Sequence, residues 1–152
     1  MAHHAASYDL SIEEPDILLA HYRGHFDGPD VKAVLAAEKQ VIGNRPHVFV
    51  LGNIANLQGV TAEGRRVAAL ATGELPIAGI ILYGASYPIR VLVGLLLSAG
   101  ARLGALPMPI SFAANETEAR QWIAARRSEY LIKTKSRLAE PRAKPGAKGP
   151  DQ

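Results

Sequence analysis

Residues 47–51 are a nearly unbroken apolar run, His47 leading into Val48, Phe49, Val50 and Leu51, and it closes on Gly52 and Asn53. A strand with no polar face has to be covered on both sides, which is the situation of a strand inside a parallel sheet. Residues 77–83, with Ile77, Ile80, Ile81 and Leu82, repeat the pattern. Parallel neighbours cannot be joined by a tight turn, so each pair needs a crossover, usually a helix. After the first of these strands, residues 52–59 are rich in Gly and Asn and are expected to form a polar loop. Thr61 then precedes Glu63 and the apolar Val67, Ala68, Leu70 and Ala71, so its hydroxyl is placed to cap the first free amides of a helix.

The remaining segments supply what such a sheet needs. Residues 7–13 alternate, with Tyr8, Leu10 and Ile12 opposite Asp9, Ser11 and Glu13, and Glu14-Pro15-Asp16 turns the chain into a second alternating stretch, residues 17–26. These read as an antiparallel hairpin with Leu18, Ala20, Tyr22 and Phe26 on one face and His21, Arg23 and His25 on the other. Asp27, Pro29 and Asp30 start a helix whose apolar positions are Val31, Val34, Leu35, Val41 and Ile42, and residues 43–46 end it. Ser86 and Pro88 open a third helix, which is apolar almost all round over residues 89–97. Residues 110–113 alternate as an edge strand, and Asn115 and Glu118 have capping-box spacing before the stripe Ala119, Trp122 and Ile123. The expected order is β-β-α-β-α-β-α-β-α: an α/β fold with a mixed, mostly parallel five-stranded sheet and about four helices.

With 152 residues and 48% of them hydrophobic, the chain holds material for one core. Its Lys and Arg total 17 against 14 Asp and Glu, but six of the basic residues and only two of the acidic ones lie at 133–152. The remainder is near neutral, which argues against a nucleic-acid-binding face. Pro, Gly, Ala and Lys dominate the end of the chain, so residues 133–152 are expected to be a disordered basic tail, residues 1–6 a flexible N-terminus and residues 7–132 the domain. No cysteine occurs, which excludes disulfides and thiol chemistry. Neither a signal peptide nor a run of about 18 apolar residues is present, and a cytoplasmic protein without a transmembrane segment is expected.

The element order resembles the STAS domain, the fold of bacterial anti-sigma-factor antagonists, over roughly residues 7–130. Gly24-His25-Phe26-Asp27 is similar to that family's strand-end Gly-x-Leu-Asp pattern, and residues 53–64 lie where the family has an Asp-Ser-x-Gly loop. Residues 83–92 and 112–122 look like a divergent bacterial STAS-like or lipid-carrier (CRAL-TRIO)-like group. The resemblance implies a non-enzymatic regulatory module that docks a protein partner, an anti-sigma factor or a kinase-like protein, in a bacterial signalling context. In the family a loop serine is phosphorylated and the added charge ejects the partner. Aligning Gly64 with the motif glycine puts Thr61 at the aspartate and Ala62 at the acceptor, and alanine takes no phosphate. Thr61 is then the remaining phosphoacceptor candidate, set against its plainer role as a cap.

Ligands and partners of open α/β sheets sit past the carboxyl ends of the strands. The binding surface is therefore expected around Asn53, Asn56, Gln58, Thr61, Arg65, Ser86, Tyr87 and Arg90, with Arg65 and Arg90 opposing helix dipoles and so suiting an acidic partner. Ser86 sits between strand and helix like a hydrolase nucleophile, but Pro88 replaces the glycine that turn needs and no histidine follows it. His21 and His25 share a face but stand too far apart for one metal, so they read as solvated. No cofactor, metal or catalytic set is expected. The alternative function is a carrier or sensor of an apolar or lipid-like ligand, suggested by the apolar excess of residues 89–97.

Overall fold

The computed structural model describes residues 5–102 and 108–139, apart from the side chains of Thr72 and of residues 96–102. It is a five-stranded sheet with the strands in chain order. β1 (Ser7–Glu13) and β2 (Ile17–Phe26) pair antiparallel, with Ser7 opposite Arg23 and Glu13 opposite Ile17. β3 (Val48–Val60), β4 (Ile77–Tyr83) and β5 (Ile110–Ala113) follow, each parallel to its predecessor. The helices are α1 (Gly28–Ile42), α2 (Ala62–Ala71), α3 (Tyr87–Arg102) and α4 (Glu116–Ala139).

Sequential strand order decides where the helices go. Successive parallel crossovers of the same right hand, each stepping one strand in the same direction, put their helices on the same face of the sheet. Accordingly Ile42 of α1 packs with Leu18, Val48 and Val50, and Ile89 and Val93 of α3 pack with Ile54 and Leu82. Phe26 packs with Val31 and Val34 of α1 and with Val67 and Ala68 of α2. Only α4, after the last strand, is left for the opposite face. There Ala119 and Ile123 close over Ile17, Phe49, Leu51 and Ile81. One helix cannot cover five strands, so part of that face stays open.

The expected hairpin, helices, central strand and edge strands form as anticipated, with one correction. Residues 52–59 are not a loop; β3 continues through them to Val60, paired along the whole of β2. Gly and Asn are depleted in strands, yet here Ile54, Leu57 and Val60, spaced three apart because an extra β3 residue at each of two bulges resets the alternation, pack into the core beside α1–α3 and supply the burial. Two register irregularities, between His21 and Arg23 and between Gly24 and His25, absorb the mismatch with β2. Gly52 suits close packing, since a Cβ there would lie 2.5 Å from Leu82 Cδ2 and would have to push that leucine aside.

Helix starts follow the capping chemistry. The Asp27 carboxylate accepts from the Asp30 amide, and the Asp30 carboxylate accepts from the Asp27 amide. Thr61 Oγ1 accepts from the Gly64 amide at 3.1 Å. A Cβ on Gly64 would come within 3.2 Å of the Asp27 carbonyl, backbone that cannot give way, so the α2 start is held tight against the end of β2. At α4, Asn115 Oδ1 accepts from the Glu118 amide, while the Glu118 carboxylate accepts from Ala114, one residue before the box position.

The ends differ from expectation in two places. Ala5 bridges His25 and Ala6 packs beside Phe26, so these two residues of the expected flexible segment are placed; residues 1–4 lie outside the described residues. α4 runs to Ala139, past Lys133, because the chain meets no proline before Pro141 and Lys, Arg, Leu and Ala are strong helix formers. Those last turns are nearly all exposed, Leu138 at 82%, and residues 140–152 lie outside the described residues. Among the described residues no helix is long and apolar enough to cross a membrane.

Candidate functional site

Where α1, α2 and α3 meet the sheet they do not fill the space. A cavity of about 180 Å³ remains, walled by Val50, Leu57 and Val60 of β3, Ile80 and Leu82 of β4, Val31, Val34 and Leu35 of α1, Ala68 of α2 and Val93 of α3. Tyr22 and Phe26 of β2 close one side, their rings edge to face at 6.3 Å. One lining residue is acidic. Glu38, on the buried face of α1, is 5% exposed and accepts a hydrogen bond from the Tyr22 hydroxyl at 2.5 Å.

Burial disfavours the charged form of a carboxyl group, and at Glu38 it pushes the value from an ordinary 4.5 up to about 6, against the opposing pull of the Tyr22 hydrogen bond. Burial also raises Tyr22, and the neighbouring Glu38 charge adds to it. The hydroxyl therefore stays protonated, a donor fixed on the carboxylate. A predominantly apolar cavity with a single placed polar pair is the usual composition of a small-molecule site.

The opposite face carries a second hollow, of about 250 Å³ and mixed character, where α4 leaves the sheet open. Asp9, Ser11, His21, Asn53, Tyr83 and Glu116 contribute to it. Its charged and imidazole groups are already engaged: Arg23 joins Asp9 and approaches His21 Nδ1 at 2.9 Å, and Asn56 Nδ2 approaches His21 Nε2 at 3.2 Å. Asp9 is held below its ordinary value by the Arg23 hydrogen bond, and Tyr83 is raised by burial and then by the Glu116 charge. His21 is thus half-buried in a network and not a solvated bystander.

The structure spreads the residues that the sequence nominates over several places. Asn53 lies opposite Tyr83 in the mixed hollow, its side chain accepting from the Ala55 amide at 3.0 Å. Because β3 continues, Asn56, exposed Gln58 and Thr61 are carried on along β2, roughly 20 Å of strand beyond Asn53 by its end. The Arg65 guanidinium donates to the Val60 carbonyl at 2.8 Å, holding α2 to the strand end. Ser86, Tyr87 and Arg90 are exposed at the start of α3, where the Ser86 carbonyl accepts from the Arg90 amide. None of the eight contributes to the apolar cavity.

Tyr22 and Glu38, the polar pair of that cavity, were not singled out from the sequence. A signal was there for Glu38: the apolar stripe of α1 runs through 31, 34, 35, 41 and 42, and position 38 falls on it. An acid on a buried stripe is informative in a way that an exposed one is not.

Neither a family model nor a curated protein matches the chain. Among solved structures it is similar to an uncharacterized protein of the DUF3478 family with a SpoIIAA-like fold from Shewanella loihica PV-4, with a TM-score of 0.57 and 15% identity over 80% of this chain and 98% of that one. At that identity the likeness is one of fold. It agrees with the five strands in sequential order and the four helices above: the chain has a SpoIIAA-like, STAS-type fold.

Proposed function

We propose that this STAS-like domain is a non-enzymatic carrier or sensor that holds a compact apolar ligand between its sheet and helices α1–α3. The observation that carries the reading is the cavity of about 180 Å³, apolar but for the Tyr22–Glu38 pair. An apolar cavity of about 150 Å³ is enough to take up benzene, so the space suits a ring or a short branched body and not an entire acyl chain. Apolar walls drive entry by removing ligand surface from water. Extracting the purified protein with organic solvent and analysing the extract by mass spectrometry tests the reading directly. A stoichiometric small apolar compound is expected; an extract with none, from protein that also takes up no added aromatic probe, defeats it.

A second reading, a regulatory protein-interaction module in a bacterial signalling context, is favoured by the outer surface of α2 and α3. Leu70, Tyr87, Val91 and Leu95 are exposed there, Tyr87 at 79%, beside exposed Arg66 and Arg90. Apolar residues rimmed by cations suit an acidic protein partner. Changing Arg66 and Arg90 together to Glu should leave the fold intact and abolish pull-down of such a partner. Undiminished binding would move the docking surface elsewhere.

A further inference from the structure

The ligand class follows from the one polar feature of the cavity, and this step rests on reading the cavity as a ligand site. Tyr22 donates to Oε1 of Glu38, while Oε2, for which no donor is seen among the described residues, is not sealed off as a buried orphan and so keeps access to the cavity. An accessible carboxylate oxygen is a strong acceptor for a ligand's donor. Apart from Glu38 and Tyr22, the lining residues are apolar side chains, with no Lys, Arg or His among those described. The site therefore offers a carboxylate acceptor and lacks any positive charge to receive an anion.

We infer that the cavity selects a compact apolar molecule bearing one hydrogen-bond donor, an amine or a hydroxyl, and rejects the matching carboxylate. A donor head on such a molecule reaches Glu38 Oε2 while the apolar body lies against Leu57, Val34 and Val93. A protonated amine also neutralises the buried charge, making the bond charge-assisted. A ligand carboxylate would place a second negative charge in the same apolar space with nothing to offset it.

Four related benzyl and benzoyl probes test this on the full-length protein: toluene, benzyl alcohol, benzylamine and benzoate, titrated at pH 8 and followed by methyl NMR of the cavity-lining Val, Leu and Ile residues. At that pH the amine is charged and Glu38 is largely ionised. The expected order is benzylamine and benzyl alcohol tighter than toluene by roughly ten-fold, the size of a hydrogen bond to a charged group, with benzoate weakest. Glu38→Gln should keep the Tyr22 bond, retain benzyl alcohol and lose the advantage of benzylamine. Benzoate binding as well as benzylamine, or toluene binding as well as both donors, overturns the inference and leaves the cavity a ligand site. Failure of all four to bind removes the site itself and the inference with it.

Discussion

The Tyr22 hydroxyl donates to the Glu38 carboxylate at 2.5 Å across the gap between β2 and α1, and both groups face an otherwise apolar space. The folded state thus holds a proton on Glu38 more tightly than the unfolded chain, about 6 against 4.5. A group raised in this way contributes stability that is fully present below about pH 4.5 and lost as the pH rises through 6, worth roughly 2 kcal/mol for a shift of that size. Glu38→Gln keeps an acceptor for Tyr22 and never ionises. It should be more stable than wild type by about 1–2 kcal/mol at pH 8 and indistinguishable at pH 4.5. Urea unfolding of both proteins at the two pH values checks the sign, and a variant less stable at pH 8 would mean that the charge is stabilised by contacts other than Tyr22.

Asp16, in the turn between β1 and β2, is the counterpart on the α4 face. Arg127 of α4 grips it through Nε at 3.0 Å and through Nη2 at 2.5 Å, and His47 Nε2 lies 3.1 Å away. Burial alone would raise this carboxyl, but the hydrogen bonds from Arg127 and then His47 outweigh it and hold it below its ordinary value. Its stabilisation is present above the unfolded value and lost as the pH falls through the folded one. Arg127→Met leaves a buried carboxylate with His47 alone. Because the arginine is itself partly exposed, the cost is expected near 2 kcal/mol, below the range for fully buried pairs. Chemical denaturation at pH 7 measures it, and a loss under about 0.5 kcal/mol would class the pair with ordinary surface bridges.

How much of this was legible in the sequence depended on whether local pattern or long-range pairing decided the outcome. The β1–β2 hairpin, the α1 start at Asp27 and the two-sided strands around Phe49 and Ile81 obey period and capping rules that need no tertiary information. Residues 52–59 do not, because Gly52, Asn53, Asn56 and Gly59 signal a loop locally and become strand only through residues 20–25 of β2 lying alongside. That misreading matters for the site, since it placed Asn53, Asn56 and Gln58 in a crevice when they stand on the sheet. The cavity was illegible for a different reason: it is a shortfall of volume between the sheet and three helices, and no residue encodes an absence. Glu38 on the α1 stripe was its one local trace.

Thr61 is the residue at which structure and signalling chemistry compete. Its Oγ1 is engaged with the Gly64 amide, and Ala62 beside it has no hydroxyl. Thr61→Ala should cost about 1 kcal/mol, the usual worth of a cap, and Thr61→Ser should recover most of it. Incubation with a serine/threonine protein kinase should add no phosphate to residues 52–66. Stoichiometric phosphothreonine at residue 61 would show that the cap yields to modification.

Empty apolar volume can be filled from the protein side, and Ala68 is the place to do it. It belongs to α2, borders the cavity and packs beside Phe26, while Leu is as well tolerated in a helix as almost any residue. Ala68→Leu adds three carbons whose complete burial would contribute about 0.8 kcal/mol each. Imperfect fit and the loss of side-chain freedom reduce the expected gain to about 1 kcal/mol. The same substitution should block uptake of aromatic probes at least ten-fold, because the leucine occupies the space they need. Thermal unfolding and methyl NMR titration together are decisive: higher stability with lost binding identifies a real void used by a ligand, whereas destabilisation by more than about 1 kcal/mol would show that α2 already packs closely against the sheet and that there is no void to fill.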